Sequence, residues 1–145
     1  MNRLFYLIKK ANGLLLQHLN DICINHGLTG KQFLLLRFFY QNQDQKEHIL
    51  QTKIQNNFRL RRSTITSVLQ TLEKKGMIVR KTDETDQRKK VVIMTDQAKD
   101  IIERIEQDAK KSDDMLLSIF SDEEYNSLVD MLDRICENLV KNTNK

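Results

Sequence analysis

Between positions 62 and 75, Ile65, Val68, Leu69 and Leu72 recur at i, i+3, i+4 and i+7, which marks the buried stripe of a helix that Gly76 ends. The opposite face carries Arg62, Ser63, Thr66, Ser67, Gln70, Glu73 and Lys74. A solvated helix face ordinarily favours Glu and Lys, because Ser and Thr are weaker helix formers. Short hydroxyl and amide side chains beside an arginine at a helix start offer a different chemistry. They are hydrogen-bonding groups of the size and reach that read base edges in a DNA major groove, which is wide enough to admit a helix.

Catalytic chemistry finds no such support. His18, His26 and His48 show neither H-E-x-x-H spacing nor a neighbouring nucleophile motif, and there is no Gly-rich phosphate loop. Cys23 and Cys136 make neither a C-x-x-C pair nor a four-ligand zinc site, and a reducing cytosol keeps such cysteines as thiols. No metal or organic cofactor is expected.

Charge is segregated along the chain. Residues 1–45 carry a net +3, residues 46–95 a net +7 with twelve basic side chains against five acidic, and residues 96–145 a net −6. Phosphate neutralisation needs clustered Lys and Arg, so a basic middle with an acidic C-terminal third fits a nucleic-acid-binding module joined to a non-binding scaffold.

The elements that must position this face follow from length and patterning. At 145 residues the chain is sized for one domain, and 39% apolar with 30% charged residues is enough for a core. Zero Pro and four Gly leave too little turn chemistry for a many-stranded barrel. A mostly helical fold is predicted. No apolar run reaches the roughly 20 residues of a membrane span, and the start lacks a signal region, so the protein is expected in the cytoplasm.

Leu4, Ile8, Ala11, Leu15, Leu19 and Ile22 space a first helix ending near Gly27. Thr29 and Gln32 form a capping box before an apolar helix containing Phe33 to Phe39, expected to be buried with almost no polar face. A polar loop from Gln41 to Glu47 precedes a short third helix set by Ile49, Leu50, Ile54 and Phe58. A brief turn at Arg59, Leu60 and Arg61 then leads into the 62–75 helix, which is the spacing of a helix-turn-helix. Met77–Lys81 and Val91–Met94 read as two strands around the turn-favouring Asp83, Glu84, Thr85 and Asp86: a hairpin wing. Thr95 N-caps a long helix through Ala98, Ile101, Ile102, Ile105, Ala109, Met115 and Leu116. Ser121 and Glu124 box a last helix with Leu128, Met131, Leu132, Ile135 and Leu139 expected inside.

The run RRSTITSVLQTLEKKGMIVRKTDETDQRKKVVIMT resembles the winged helix-turn-helix of the multiple antibiotic resistance regulator (MarR) family. The resemblance lies in S-T-x-T from Ser63 and Thr64 to Thr66, L-E-K-K-G at Leu72–Gly76, D-x-R at Asp86 and Arg88, Thr95, and L-T-x-x-Q at Leu28–Gln32. It extends over essentially the whole chain. It implies a single domain, 1–145, with a winged helix-turn-helix lobe at 28–95, the helix-turn-helix at about 49–75, the wing at about 77–94, and dimerisation helices at 1–27 and 96–145. The implied function is a homodimeric transcription regulator, a ligand-responsive repressor that binds a pseudo-palindromic operator in double-stranded DNA.

Under that resemblance Arg62, Ser63, Thr64, Thr66, Ser67 and Gln70 face the DNA, Arg88 enters the minor groove held by Asp86, and Lys89 and Lys90 grip phosphates. Two positions depart from the family. Arg61 stands where a capping Ser is usual, which loses the cap and adds a phosphate contact, and Ala98 stands where Gly is frequent. The family also implies an apolar pocket for a small aromatic or apolar effector, with Phe5, Phe33 and Phe38 as lining candidates that equally suit the core. Two alternatives stand beside this reading. One is a redox-sensing regulator acting through Cys23, although peroxide-sensing relatives carry their cysteine near the start of the first helix, where this chain has Leu4, Phe5 and Tyr6. Cys23 and Cys136 instead occupy positions where small buried thiols are common. The other is a winged-helix protein-interaction module that does not bind DNA.

Overall fold

The computed structural model describes residues 1–58 and 61–143. Its order is α1 (Arg3–Ile24), α2 (Gly30–Asn42), β1 (His48–Leu50), α3 (Gln51–Phe58), α4 (Arg62–Lys74), β2 (Ile78–Thr82), β3 (Lys90–Met94), α5 (Asp96–Leu117) and α6 (Asp122–Thr143). The predicted turn residues Arg59 and Leu60 lie outside the described residues. The chain divides into two compact units, Met1–Asp108 and Ala109–Lys145.

In the first unit, one apolar cluster joins Leu36 and Phe39 of α2, Ile54 of α3, Ile65, Leu69 and Leu72 of α4, Ile78 and Val92 of the sheet, and Ala98, Ile102 and Ile105 of α5. Helix α4 therefore stands on a packed base, with its polar face turned outward. Its C-terminus closes as a Schellman turn: Gly76 takes φ +72°, and the Met77 N–H donates to the Leu72 carbonyl at 2.9 Å. That left-handed residue reverses the chain directly into β2.

The predicted hairpin forms as β2 and β3, and the sheet adds a third strand to it. The sheet has three antiparallel strands in the order β1-β3-β2, with Ile49 opposite Val92 and Arg80 also opposite Val92 on the other side. Ile49 and Leu50, expected at the start of the third helix, form β1 instead, and the helix begins at Gln51. β3 pairs with a strand on each side, and its Val91, Val92 and Met94 are buried.

Helix α2 carries the expected capping box, with both Thr29–Gln32 bonds present. It runs through Gln41, a residue whose polarity alone suggests the following loop, and it is not wholly buried: Lys31, Arg37 and Tyr40 line its outer side. Helix α1 packs through Leu19, Ile22 and Cys23, while Leu4, Phe5, Leu7, Leu14, Leu15 and Leu16 are exposed.

In the second unit the Ser121–Glu124 box forms as expected, with bonds of 2.9 and 3.2 Å. The apolar stripe of α6 is not inside, however. Leu128, Met131, Leu132 and Leu139 are all exposed, and so is Cys136. Helical periodicity identifies an apolar face but not whether the chain's own elements cover it.

Candidate nucleic-acid interface

Helix α4 projects the side chains singled out by the sequence. Arg61, Arg62, Ser63, Thr64, Ser67 and Gln70 are exposed, and Thr66 is half-buried with its hydroxyl donating to the Arg62 carbonyl at 2.9 Å. That bond leaves the Thr66 oxygen able to accept, and its methyl group available for apolar contact. Arg61 is the N-cap and makes no side-chain capping bond, so its charge stands at the positive end of the helix, where an anion is favoured.

The wing tip is a built turn. One oxygen of Asp83 accepts from the Thr85 hydroxyl at 2.6 Å, the Thr85 N–H at 2.7 Å and the Asp86 N–H at 3.1 Å. These bonds, led by the Thr85 side chain, hold the Asp83 carboxyl down at about 2. A depressed carboxylate stabilises the fold above its unfolded value and loses that effect only as pH falls through its folded one, so the turn is fully braced at neutral pH. Asp86 in turn accepts from the Arg88 backbone N–H at 3.0 Å and from its Nε at 3.3 Å. Arg88 is thereby aimed, yet its side chain is 92% exposed. This is the Asp86–Arg88 arrangement that the motif suggested.

Lys89 and Lys90 are exposed beside it, but Lys90 Nζ also donates to Thr82 Oγ1 at 3.0 Å across the hairpin, which ties it to the strand pair. The aromatic candidates lie in three different surroundings. Phe33 is core, Phe5 is half-exposed on α1, and Phe38 meets Phe58 edge-on with ring centroids 5.2 Å apart.

Several contributors escape a reading of the sequence. Thr52, Lys53, Asn56 and Asn57 of α3 line a shallow groove with Phe38 and Asn42, on the helix that in a helix-turn-helix crosses the sugar-phosphate backbone. Asp83 stands out in the sequence only as turn-favouring, although a short polar residue two before Thr85 is a local signal for such a turn. Glu73 and Arg80 form a close ion pair at 2.7 Å between α4 and β2. Among the described residues, no group of three or more His, Cys, Asp or Glu side chains is placed to hold a metal ion.

Cys23 is fully buried, and burial pushes its thiol up to about 11. The neutral thiol is a poor nucleophile. At about pH 8, iodoacetamide is expected to leave Cys23 unmodified in the folded protein and to modify it after denaturation. Peptide mapping checks this, and labelling of folded Cys23 at the rate of a free thiol would contradict it.

A helix-turn-helix packed on a three-stranded sheet, with an arginine-tipped wing beside it, defines a winged-helix protein. Residues 28–90 match the MarR family. The chain is 29% identical to the HTH-type transcriptional regulator MhqR of Bacillus subtilis over 143 residues, covering 99% of this chain and 96% of that protein. The chain is thus similar to the MarR family through its winged-helix lobe, and over nearly its whole length to a transcriptional regulator. Its fold is similar to apo MarR from E. coli, with a TM-score of 0.78 at 20% identity, covering 93% of this chain and 97% of that one. It is also similar to MepR of S. aureus in a DNA complex, with a TM-score of 0.79 at 22% identity, covering 92% and 96%. No helix among the described residues is long and apolar enough to cross a membrane.

Proposed function

We propose that this protein is a cytoplasmic, sequence-specific DNA-binding regulator that acts as a homodimer on a pseudo-palindromic operator. The observation that carries the reading is the joint presentation, on one compact unit, of the exposed polar face of α4 and the Asp86-aimed Arg88 of the wing. The first suits a major groove and the second the concentrated negative potential of a narrow minor groove. Both S. aureus MepR and a mutant of E. coli MarR have been crystallised with DNA, which supports the same use of the fold here.

The exposed apolar side chains of α1 and α6 support the homodimer, because apolar patches of that extent mark interaction surfaces. The similarity to the MarR family supports a repressor released by a small aromatic or apolar effector. Burial of Cys23 speaks against a thiol sensor at that position. The basic middle of the chain speaks against a pure protein-interaction module. A gel shift with genomic fragments tests the reading. Retardation is expected at low salt and should weaken steeply as salt rises. Absence of any shift at about 50 mM salt would contradict it.

A further inference from the structure

Glu73 sits in the last turn of α4, close to Lys74 and the C-cap Lys75. That is the wrong end of a helix for a carboxylate, because the macrodipole there is negative. Its partner is not local. Glu73 Oε1 accepts the backbone N–H of Arg80 at 3.1 Å, and Oε2 accepts Arg80 Nε at 3.0 Å and Nη2 at 2.7 Å. Both oxygens are thus engaged by one residue of β2. The Arg80 side chain draws the Glu73 carboxyl below its ordinary value.

The backbone bond is informative. β2 is an edge strand, and the Arg80 N–H points away from β3, where it would otherwise be an unpaired edge donor. Glu73 therefore fixes the backbone of the wing strand as well as its side chain, at a point joined to α4 by the left-handed Gly76.

We infer that the Glu73–Arg80 pair is a brace that sets the angle between the recognition helix and the wing, so that both grooves are engaged at once. The inference rests on the DNA-binding reading above. Its force is geometric. From Arg80 to the wing tip is on the order of 15 Å of extended chain, so a tilt of about 10° at the brace displaces Arg88 by about 2.5 Å. A B-DNA minor groove is only about 6 Å wide. A displacement of that size is enough to take the guanidinium out of register with the groove while α4 remains seated.

Neither residue needs to touch DNA for this role, so the test must separate positioning from contact. The probes are a duplex selected by the unmodified protein from a random pool and a scrambled duplex of the same composition. Glu73→Gln keeps the shape and removes the charge. It is expected to lower affinity for the selected duplex about tenfold and for the scrambled duplex by less than about twofold. In an Arg88→Ala background, the same change should cost less than about twofold on the selected duplex, because there is no longer an arginine to misplace.

Thermal unfolding of each variant monitors the fold. If Glu73→Gln unfolds, Arg80→Lys, which keeps the charge and the backbone donor, enters the same cycle with the same expectation. A tenfold loss that persists in the Arg88→Ala background, or an equal loss on both duplexes, would overturn the brace alone. Failure of the unmodified protein to enrich any duplex would overturn the DNA-binding reading, and the brace with it.

Discussion

Leu15→Glu or Met131→Glu is expected to convert the protein to a monomer while leaving each chain folded. Leu15 of α1 and Met131 of α6 are both 56% exposed in the single chain, so neither substitution disturbs a core. In a dimer built on these faces, a carboxylate there is buried without a partner. An uncompensated buried charge costs about 3–5 kcal/mol, which weakens association by more than about a hundredfold. Two-fold symmetry puts the charge into the interface twice. DNA affinity should fall with it, because two linked recognition helices gain roughly 10²–10⁴ in avidity over one. Sedimentation at micromolar concentration checks the result. An unmodified protein that sediments as a well-folded monomer, or variants that remain dimeric, would refute the assignment of these faces.

Alanine at Arg62 and at Lys89 should separate reading from gripping. Arg62 opens α4 beside Ser63 and Thr66, and on the proposed reading it meets base edges, where a bidentate pair discriminates by roughly 1–3 kcal/mol. Arg62→Ala is therefore expected to weaken the preferred duplex by about 5- to 150-fold and random DNA far less. Lys89 follows Arg88 on the wing with its side chain exposed, and on the proposed reading its ammonium meets only phosphates. Lys89→Ala should weaken both duplexes about equally and reduce the salt slope by about one. A salt titration of both duplexes decides. Parallel losses for Arg62→Ala would make it a phosphate anchor and shift specificity to Ser63, Thr66, Ser67, Gln70 and Arg88.

What is legible in the sequence is local. The Thr29–Gln32 and Ser121–Glu124 boxes, the Gly76 stop and the face of α4 each depend on residues within one or two turns, and all form as expected. Ile49 and Leu50 do not, because a short apolar run suits a helix start as well as a strand. What makes it a strand is pairing with Val92 and Val91, over forty residues away. The α6 stripe is correctly found as a face and wrongly placed inside, since amphipathicity does not say whether the chain's own elements cover that face.

The wing motif shows the same division. Asp86 and Arg88 are two residues apart and their bond is visible from spacing and motif, whereas Glu73 and Arg80 meet only because Gly76 folds β2 back along α4. A carboxylate at the negative end of a helix is the one visible hint of a partner elsewhere.

If two copies of this chain present two α4 helices and two wings to DNA, the preferred sequence must carry the same two-fold symmetry. Sequencing of duplexes selected by the purified protein from a random pool tests this most directly. Enrichment of an inverted repeat whose half-sites are centred about 10 base pairs apart is expected. Enrichment of a single asymmetric half-site bound by one chain, or of no sequence at all, would contradict it.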